Sequence, residues 1–203
     1  MSTTSIFVRI DDGRVKGSAT SLGAQGDLDA AAEAEKYETW ILADSVSFGL
    51  NRDQSAGSGS SSGGGAAGGA AAAGGASNPL TGLRTQAGNV RITKQVDLSS
   101  CGLIRLLMSD EPLAEVKIDI CAPTGTSGKF QWYMRYVLGT CTVLDYKLDL
   151  KPGQDGSTPT ETIEIDYNVL VTRFRVWGEE NKPTRDAPEQ KYDFTEAHDD
   201  AEA

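Results

Sequence analysis

Hydrophobic and polar positions alternate over several short stretches of the chain, and this period of two predicts β-strands. Ile6, Val8 and Ile10 form the first stretch, and the alternation returns within 40–50, 90–96, 116–120, 130–150 and 163–171. Asp44 interrupts the second stretch, which indicates either a bulge or two short strands. Phe174 and Val176 continue the last stretch in the opposite phase, which again predicts a bulge or a second strand.

The period changes to that of a helix at one place, between the strand at 90–96 and Pro112. Leu103, Leu106 and Leu107 form an apolar stripe there. We expect Ser99 or Ser100 to accept a hydrogen bond from the first free amides of this helix. Pro112 prevents the helix from continuing. Strands flank the helix on both sides, so the pattern predicts a mainly β protein, an antiparallel barrel or sandwich with one helix packed on it.

Two segments lack the hydrophobic pattern. Residues 55–77 are nearly all glycine, alanine and serine, whose side chains are too small to offset the entropy of ordering. Strands lie on both sides of this segment, and no Gly-Lys-Ser/Thr sequence ends it, so we interpret it as a flexible loop and not a phosphate-binding loop. Residues 179–203 are acidic and predicted to form a disordered or loosely docked tail. We therefore expect one domain over 1–178, followed by that tail.

Charge and composition exclude several classes of protein. A net charge of −10 and a pI near 4.6 argue against binding to nucleic acid or to an anionic membrane surface. No apolar run approaches the length of a membrane span, and we expect neither membrane insertion nor a signal peptide. Cys101, Cys121 and Cys141 are far apart, so we interpret them as buried thiols in a reducing compartment. The sequence predicts no metal or cofactor site.

Residues suited to catalysis are scarce. His198, the sole histidine, lies in the tail, where a catalytic triad has no ordered support. Carboxylates on the outward faces of the predicted strands are more often solvating than catalytic; they are Asp145, Asp149, Glu164 and Asp166. We expect no catalytic residues and no enzyme, and keep a β-sandwich hydrolase that uses these carboxylates as a weaker alternative.

Three stretches, in this order and at this spacing, resemble one known family. They are SVSFGL at 45–50 ahead of the glycine-rich loop, VRITKQVDLSSCGLIRLLMS at 90–109, and PTETIEIDYNVL at 159–170. Together they are similar to the haemolysin-coregulated protein (Hcp) family, the tube proteins of type VI secretion systems. The resemblance implies a two-sheet antiparallel β-barrel with one α-helix. It also implies a structural subunit that forms homo-hexameric rings, which stack into a hollow inner tube.

The resemblance further implies partners and a location. In that family the tube lies inside a contractile sheath, carries a spike protein at its tip, and holds effector proteins in its lumen. We therefore expect assembly in the cytoplasm, followed by secretion through the contractile machine. The alternative is a ligand- or effector-binding β-barrel that works as a monomer or dimer. The aromatic run from Phe130 to Tyr136 would line its cavity, although a core stripe explains that run more simply.

Several residues are candidates for assembly. Lys94 falls on the apolar face of its strand, where a charge is costly unless it is paired or at a rim. It is either a lysine snorkelling at the barrel end or half of an ion pair between subunits. Arg173 and Arg175 alternate with apolar residues and belong to a solvated face or to the lumen. The candidate subunit interface comprises Lys94, Asp97, Ser47 and Gly49, and the candidate ring-stacking loop comprises Ser55, Gly63, Gly64, Gly65 and Ser77.

Overall fold

A computed structural model describes residues 4–10, 14–19, 37, 39–53, 84–109, 111–124, 129–150, 159–177, 183–186 and 188–195. The strands in these ranges are β1 (Ser5–Ile10), β2 (Ile41–Ala43), β3 (Ser45–Ser47), β4 (Leu50–Asp53), β5 (Arg84–Ala87), β6 (Val90–Gln95), β7 (Leu113–Thr124), β8 (Lys129–Asp149), β9 (Thr160–Trp177), β10 (Pro183–Asp186) and β11 (Gln190–Asp193). The helix α1 spans Ser100–Ser109. Most of the glycine-rich segment, including all of 55–77, and His198 lie outside the described residues.

The strands form two antiparallel sheets. The larger sheet has the order β2-β1-β7-β8-β9-β6-β3, with β10 and β11 also paired to β9, and β4 and β5 form a separate two-stranded arm. The prediction of a mainly β, antiparallel fold with one helix packed on it is confirmed for the described residues. Phe174 and Val176 continue β9 itself, and its register against β8 is unbroken from Val169 to Phe174, so both alternatives for this point, a bulge or a second strand, are wrong.

The first and last strands of the larger sheet come from one short segment. β2 ends at Ala43 and β3 begins at Ser45, so Asp44 alone separates them. The Asp44 N–H donates to the Thr93 carbonyl at 2.8 Å, which draws this segment from β1 towards β6. Of the two alternatives that the sequence left open at Asp44, two short strands is therefore the correct one.

The main hydrophobic core lies on one face of the sheet and beneath the helix. Its buried side chains include Val8, Ile10, Val90, Ile92, Val116, Ile118, Leu138, Ile163, Ile165 and Leu170, with Leu103 and Leu106 from α1. Ile104 and Met108 on the opposite side of α1 are exposed. The predicted apolar stripe is thus the face by which the helix packs onto the sheet.

A second, smaller core covers the opposite face of the sheet at one end. It consists of Phe7, Tyr37, Trp40, Cys121 and Trp132. Ile120 pairs with Met134 but its neighbour Cys121 pairs with Trp132, so Tyr133 is an extra residue in β8. This bulge turns Trp132 to the second core. The simple alternation over 130–150 would place Trp132 on the same face as Tyr136 and Leu138, and the bulge shows that this part of the pattern is wrong.

Gly17 permits a close backbone crossing beside the second core. A Cβ atom at this position would lie 2.2 Å from the Trp40 carbonyl oxygen, closer than two such atoms can approach. The Gly17 N–H donates to the Thr39 carbonyl at 2.7 Å. A residue without a side chain is therefore required where the N-terminal segment passes the strand that begins at Ile41.

The region beyond residue 178 departs in part from the predicted disordered or loosely docked tail. β10 and β11 are antiparallel strands on β9. Hydrophobic alternation did not reveal them because edge strands are held mainly through the main chain, and the β11 side chains are largely exposed. Residues 196–203 lie outside the described residues.

Two further predictions concern the burial of the cysteines and the absence of a membrane span. Cys121 and Cys141 are buried as predicted, whereas Cys101 is exposed because it lies on the outer side of α1. In the described part of the chain, no helix has the length and apolar character needed to cross a bilayer.

Candidate assembly surface

Lys94 is fully buried between two carboxylates of its own chain. Its side chain is 0% exposed, and its Nζ lies 2.5 Å from Glu161 Oε1 and 2.6 Å from Asp97 Oδ1. It also donates to the Gln95 carbonyl oxygen at 2.7 Å. Because β6 pairs with β9 in a register that places Lys94 beside Glu161, the sheet itself aligns this ion pair.

Asp97 joins this lysine to the start of the helix and to the N-terminal segment. Its Oδ1 accepts hydrogen bonds from the Ser99 N–H at 2.9 Å and the Ser99 hydroxyl at 2.5 Å. Its Oδ2 accepts from the N–H and hydroxyl of Ser18 at 3.0 and 2.9 Å. Burial alone raises the pKa of Asp97, but bonds from Lys94, Ser99 and Ser18 outweigh it and lower the pKa to about 2.

Glu161 completes the cluster from the β9 side. The Ser100 hydroxyl donates to Glu161 Oε1 at 3.0 Å, and the Tyr146 hydroxyl donates to Oε2. Burial, and secondarily the bond to Glu161, raise the pKa of Tyr146 above its usual range. The polar cluster Lys94–Asp97–Glu161 thus connects β6, α1, β8, β9 and the Ser18 segment.

This geometry corrects three expectations. Lys94 does not snorkel, because its side chain has no exposed surface. Lys94 is paired, but with two carboxylates of its own chain and not across a subunit interface, and any subunit contact of Asp97 stays a prediction. Ser100 was a candidate to accept a hydrogen bond from a helical amide. Its hydroxyl instead accepts from the Asp97 N–H, which precedes the helix, at 3.1 Å and donates to Glu161.

The other two interface candidates lie at the base of the β4–β5 arm. Ser47 ends β3 and is exposed. Gly49 is also exposed; its carbonyl accepts from the Gly88 N–H at 2.8 Å, and a Cβ atom there would meet nothing within 4 Å. The arm carries the segment between β4 and β5, which contains the glycine-rich loop. Its candidate residues Ser55, Gly63, Gly64, Gly65 and Ser77 lie outside the described residues, and the subunit contacts of Ser47 and Gly49 stay predictions.

The two arginines of β9 differ in their surroundings. Arg175 is 9% exposed, and its guanidinium lies 4.2 Å from the centre of the Trp132 ring, so it is not on a solvated face. Arg173 is half-exposed, and its Nε donates to Glu189 Oε2 at 2.6 Å. Arg173 therefore contacts the segment between β10 and β11.

A second buried ion pair was missed by the sequence analysis. Arg135 Nε and Nη2 donate to the two Asp119 oxygens at 2.7 and 2.8 Å. The Tyr37 hydroxyl also donates to Asp119, at 2.8 Å, and burial, followed by the Asp119 charge, raises the Tyr37 pKa. Alternation places Asp119 on the face opposite Val116 and Ile118, and nothing in the local pattern signalled that Tyr37 would cover it there.

Exposed apolar side chains mark the outer side of α1 and the end of β8. Leu98 and Met108 are each 79% exposed, and Leu144, Leu148 and Leu150 also face solvent. Such surfaces are candidates for contact between proteins. Among the described residues, no group of three or more histidine, cysteine, aspartate or glutamate side chains is placed to hold a metal ion.

The described residues thus form a mainly β protein, an antiparallel sheet with one helix packed on it and a separate two-stranded arm. Residues 7–174 match the family described as "Type VI secretion system effector, Hcp". The chain belongs to the Hcp family, as predicted. No curated protein matches the chain.

Solved structures share the fold. A structure described as that of a type six secretion system protein has a TM-score of 0.68 at 15% identity, with 96% of this chain and 98% of that chain covered. Hcp1 from Salmonella typhimurium has a TM-score of 0.58 at 16% identity, with 97% of each chain covered. A type VI secretion system effector from Yersinia pestis has a TM-score of 0.52 at 11% identity, with 93% and 98% covered.

Proposed function

We propose that the protein is the structural subunit of the inner tube of a type VI secretion system. Six copies close into a ring, rings stack into a hollow tube, and effector proteins travel in its lumen. The family match over residues 7–174 carries this proposal. The subunit assembles in the cytoplasm, contacts the sheath and the spike protein, and leaves with the tube. Its role is structural and not catalytic.

Two features of the subunit support assembly into a ring. The exposed leucines of β8 and the exposed residues of α1 offer apolar surface that a neighbouring subunit can cover. A ring of identical subunits needs two different surfaces on each copy, since its contacts are heterologous. The β4–β5 arm, which is a sheet of its own, offers a separate surface at the base of the glycine-rich loop.

The glycine-rich loop has the composition for contact between rings. A segment that orders on binding loses entropy, so we expect stacking through these residues to be weaker than ring closure. We therefore assign ring closure to the folded surfaces and stacking to the loop at 55–77.

Shortening the loop tests this division. Replacing residues 55–77 with a minimal turn should preserve the fold and the ring but reduce tube formation and secretion. Electron microscopy of the purified protein provides the readout, and a loop of equal length with scrambled glycine, alanine and serine order is the matched control. Tubes that form equally well from the shortened protein would remove the stacking role from the loop and leave the ring proposal intact.

A further inference from the structure

The face of the sheet that carries the main core is covered by the helix at one end only. α1 packs at the end where β9 begins, and its Ser100 hydroxyl donates to Glu161 there. Near the other end of β9, one row of apolar side chains crosses β1, β7, β8 and β9 in register. This open row consists of Ile6, Ile120, Met134 and Phe174. Phe174 is 44% exposed, and Val176, the next residue on this face of β9, is 43% exposed.

The β4–β5 arm leaves the sheet close to the open row. The Phe48 ring packs against the Tyr136 ring, with centres 5.0 Å apart. Tyr136 pairs with Thr172, which precedes Phe174 by two residues on β9. β4 begins at Leu50, two residues after Phe48. The base of the arm is therefore a neighbour of the open row in the same chain.

The tip of the arm is separate from the open row of its own chain. Four residue pairs join β4 to β5, from Leu50–Ala87 at the base to Asp53–Arg84 at the tip. At the rise of a β-strand, the tip lies about 10 Å from the base. In the described ranges, β4 and β5 pair with each other and with no other strand. A side chain at the tip is thus placed to meet another copy and not the sheet that carries the arm.

The chain that joins the two strands of the arm has the composition for an apolar contact. Residues 54–83 carry no charged side chain, although the chain as a whole has a net charge of −10. Apart from Pro79, the large apolar side chains of this segment are Leu80 and Leu83. Leu83 directly precedes Arg84, so the sequence ties it to the tip of the arm.

We propose that Leu80 and Leu83 of one copy dock on the open row, around Phe174, of a second copy of this chain. Burial of these leucines against the row removes apolar surface of both copies from water, which drives association. The inference rests on the proposed stacking through the glycine-rich loop. It assigns the affinity of that contact to the two leucines, the reach to residues 55–77, and the receiving surface to the open row.

Disulfide cross-linking between two different chains tests this contact. One chain carries Leu83→Cys and the other carries Phe174→Cys, and both carry Cys101→Ser, which removes the exposed native thiol. Because no chain holds both introduced cysteines, a disulfide between the two positions forms only between copies. The mixed chains, oxidised with glutathione disulfide at high protein concentration, should give this link, which mass spectrometry of the joined peptides identifies.

Two further positions make the test specific. Leu42→Cys in place of Phe174→Cys is the matched control, since Leu42 is 49% exposed but pairs with Phe7 on the opposite face of the sheet. It should give no link to Leu83→Cys. Val176→Cys is a second receiving position, for the case that Phe174→Cys does not fold, and it should also form the link.

The outcomes separate this inference from the proposed function. A link from Leu83 to either receiving position, absent with Leu42, supports the docking. No link at either position, or equal linking at Leu42, overturns it. A disulfide that forms only when Leu83→Cys and Phe174→Cys share one chain also overturns it, because the segment would then dock on its own chain. Tubes that form without the link would overturn the docking alone, whereas the link in a protein that forms no ring would overturn only the proposed function.

Discussion

A buried lysine between two carboxylates is stable only as a complete set, because each charge compensates for the desolvation of the others. Lys94 is enclosed in this way by Asp97 and Glu161. The cluster also positions the start of α1 through Ser99 and Ser100. We infer that it fixes how the helix meets the sheet.

Lys94→Met should therefore destabilise the protein by about 3–5 kcal/mol, since it leaves two carboxylates without their cation. Arg91→Met is the matched control from the same strand. The Arg91 side chain is 60% exposed and pairs with Glu164, so its loss should cost less than about 1 kcal/mol. Urea unfolding measures both, and equal effects would mean that the buried cluster contributes no more than a surface ion pair.

Because of Asp97, the stability that the cluster contributes depends on pH. Its pKa is about 2 in the folded protein, against an ordinary value of 3.8. A carboxyl group with a lowered pKa stabilises the fold above the ordinary value, and this contribution is lost as the pH falls through the folded value. Asp97→Asn should thus reduce stability by at most about 2 kcal/mol near pH 6 and by progressively less as the pH falls from 4 to 2. A difference that stays constant over that range, in acid-dependent urea titrations, would contradict the lowered pKa.

At the scale of elements, α1 joins the fold through one face. Leu106 is buried in the main core, whereas Met108 is 79% exposed. Leu106→Ala should cost about 2–5 kcal/mol, because it removes buried apolar surface and leaves a cavity. Met108→Ala, on the other side of the same helix, should change stability by less than about 0.5 kcal/mol. Because Met108 belongs to the surface that a neighbouring subunit can cover, thermal unfolding should compare the two variants at a concentration at which the chain does not associate. A loss at Met108 equal to that at Leu106 in the single chain would show that the helix packs differently.

The sequence predicted the elements that have one buried face, because their hydrophobic side chains recur at the period of a strand or of a helix. Strands with a buried face and the helix stripe at Leu103 and Leu106 belong to this group, as does the interruption at Asp44. β11 was not predicted because its side chains are largely exposed and therefore show no hydrophobic alternation. The bulge at Tyr133 reversed the face of Trp132 because one extra residue inverts every side chain beyond it.

The sequence predicted only part of the buried polar clusters, because local pattern does not show which distant residues meet. A charge on an apolar face singled out Lys94, but the two alternatives were snorkelling or an ion pair between subunits, and the partners observed in its own chain depend on the pairing of β6 with β9. Arg135 and Asp119 gave no signal, since the segment with Tyr37 that covers them is distant in sequence. Local pattern identifies a charge that needs a partner but does not say which distant residue provides it.

At the scale of the whole molecule, different parts of the chain are assigned separate roles. The exposed surfaces of β8 and α1 are assigned to ring closure and the glycine-rich loop to stacking, while β10 and β11 pair with one edge of β9. A head-to-tail ring closes on itself and leaves no free interface within the ring.

Native mass spectrometry of the full chain tests the ring most directly. The account predicts a particle of six chains of 21.5 kDa each, with no open-ended series of larger and smaller species. A single chain or a dimer at every concentration would contradict it and favour the ligand-binding alternative.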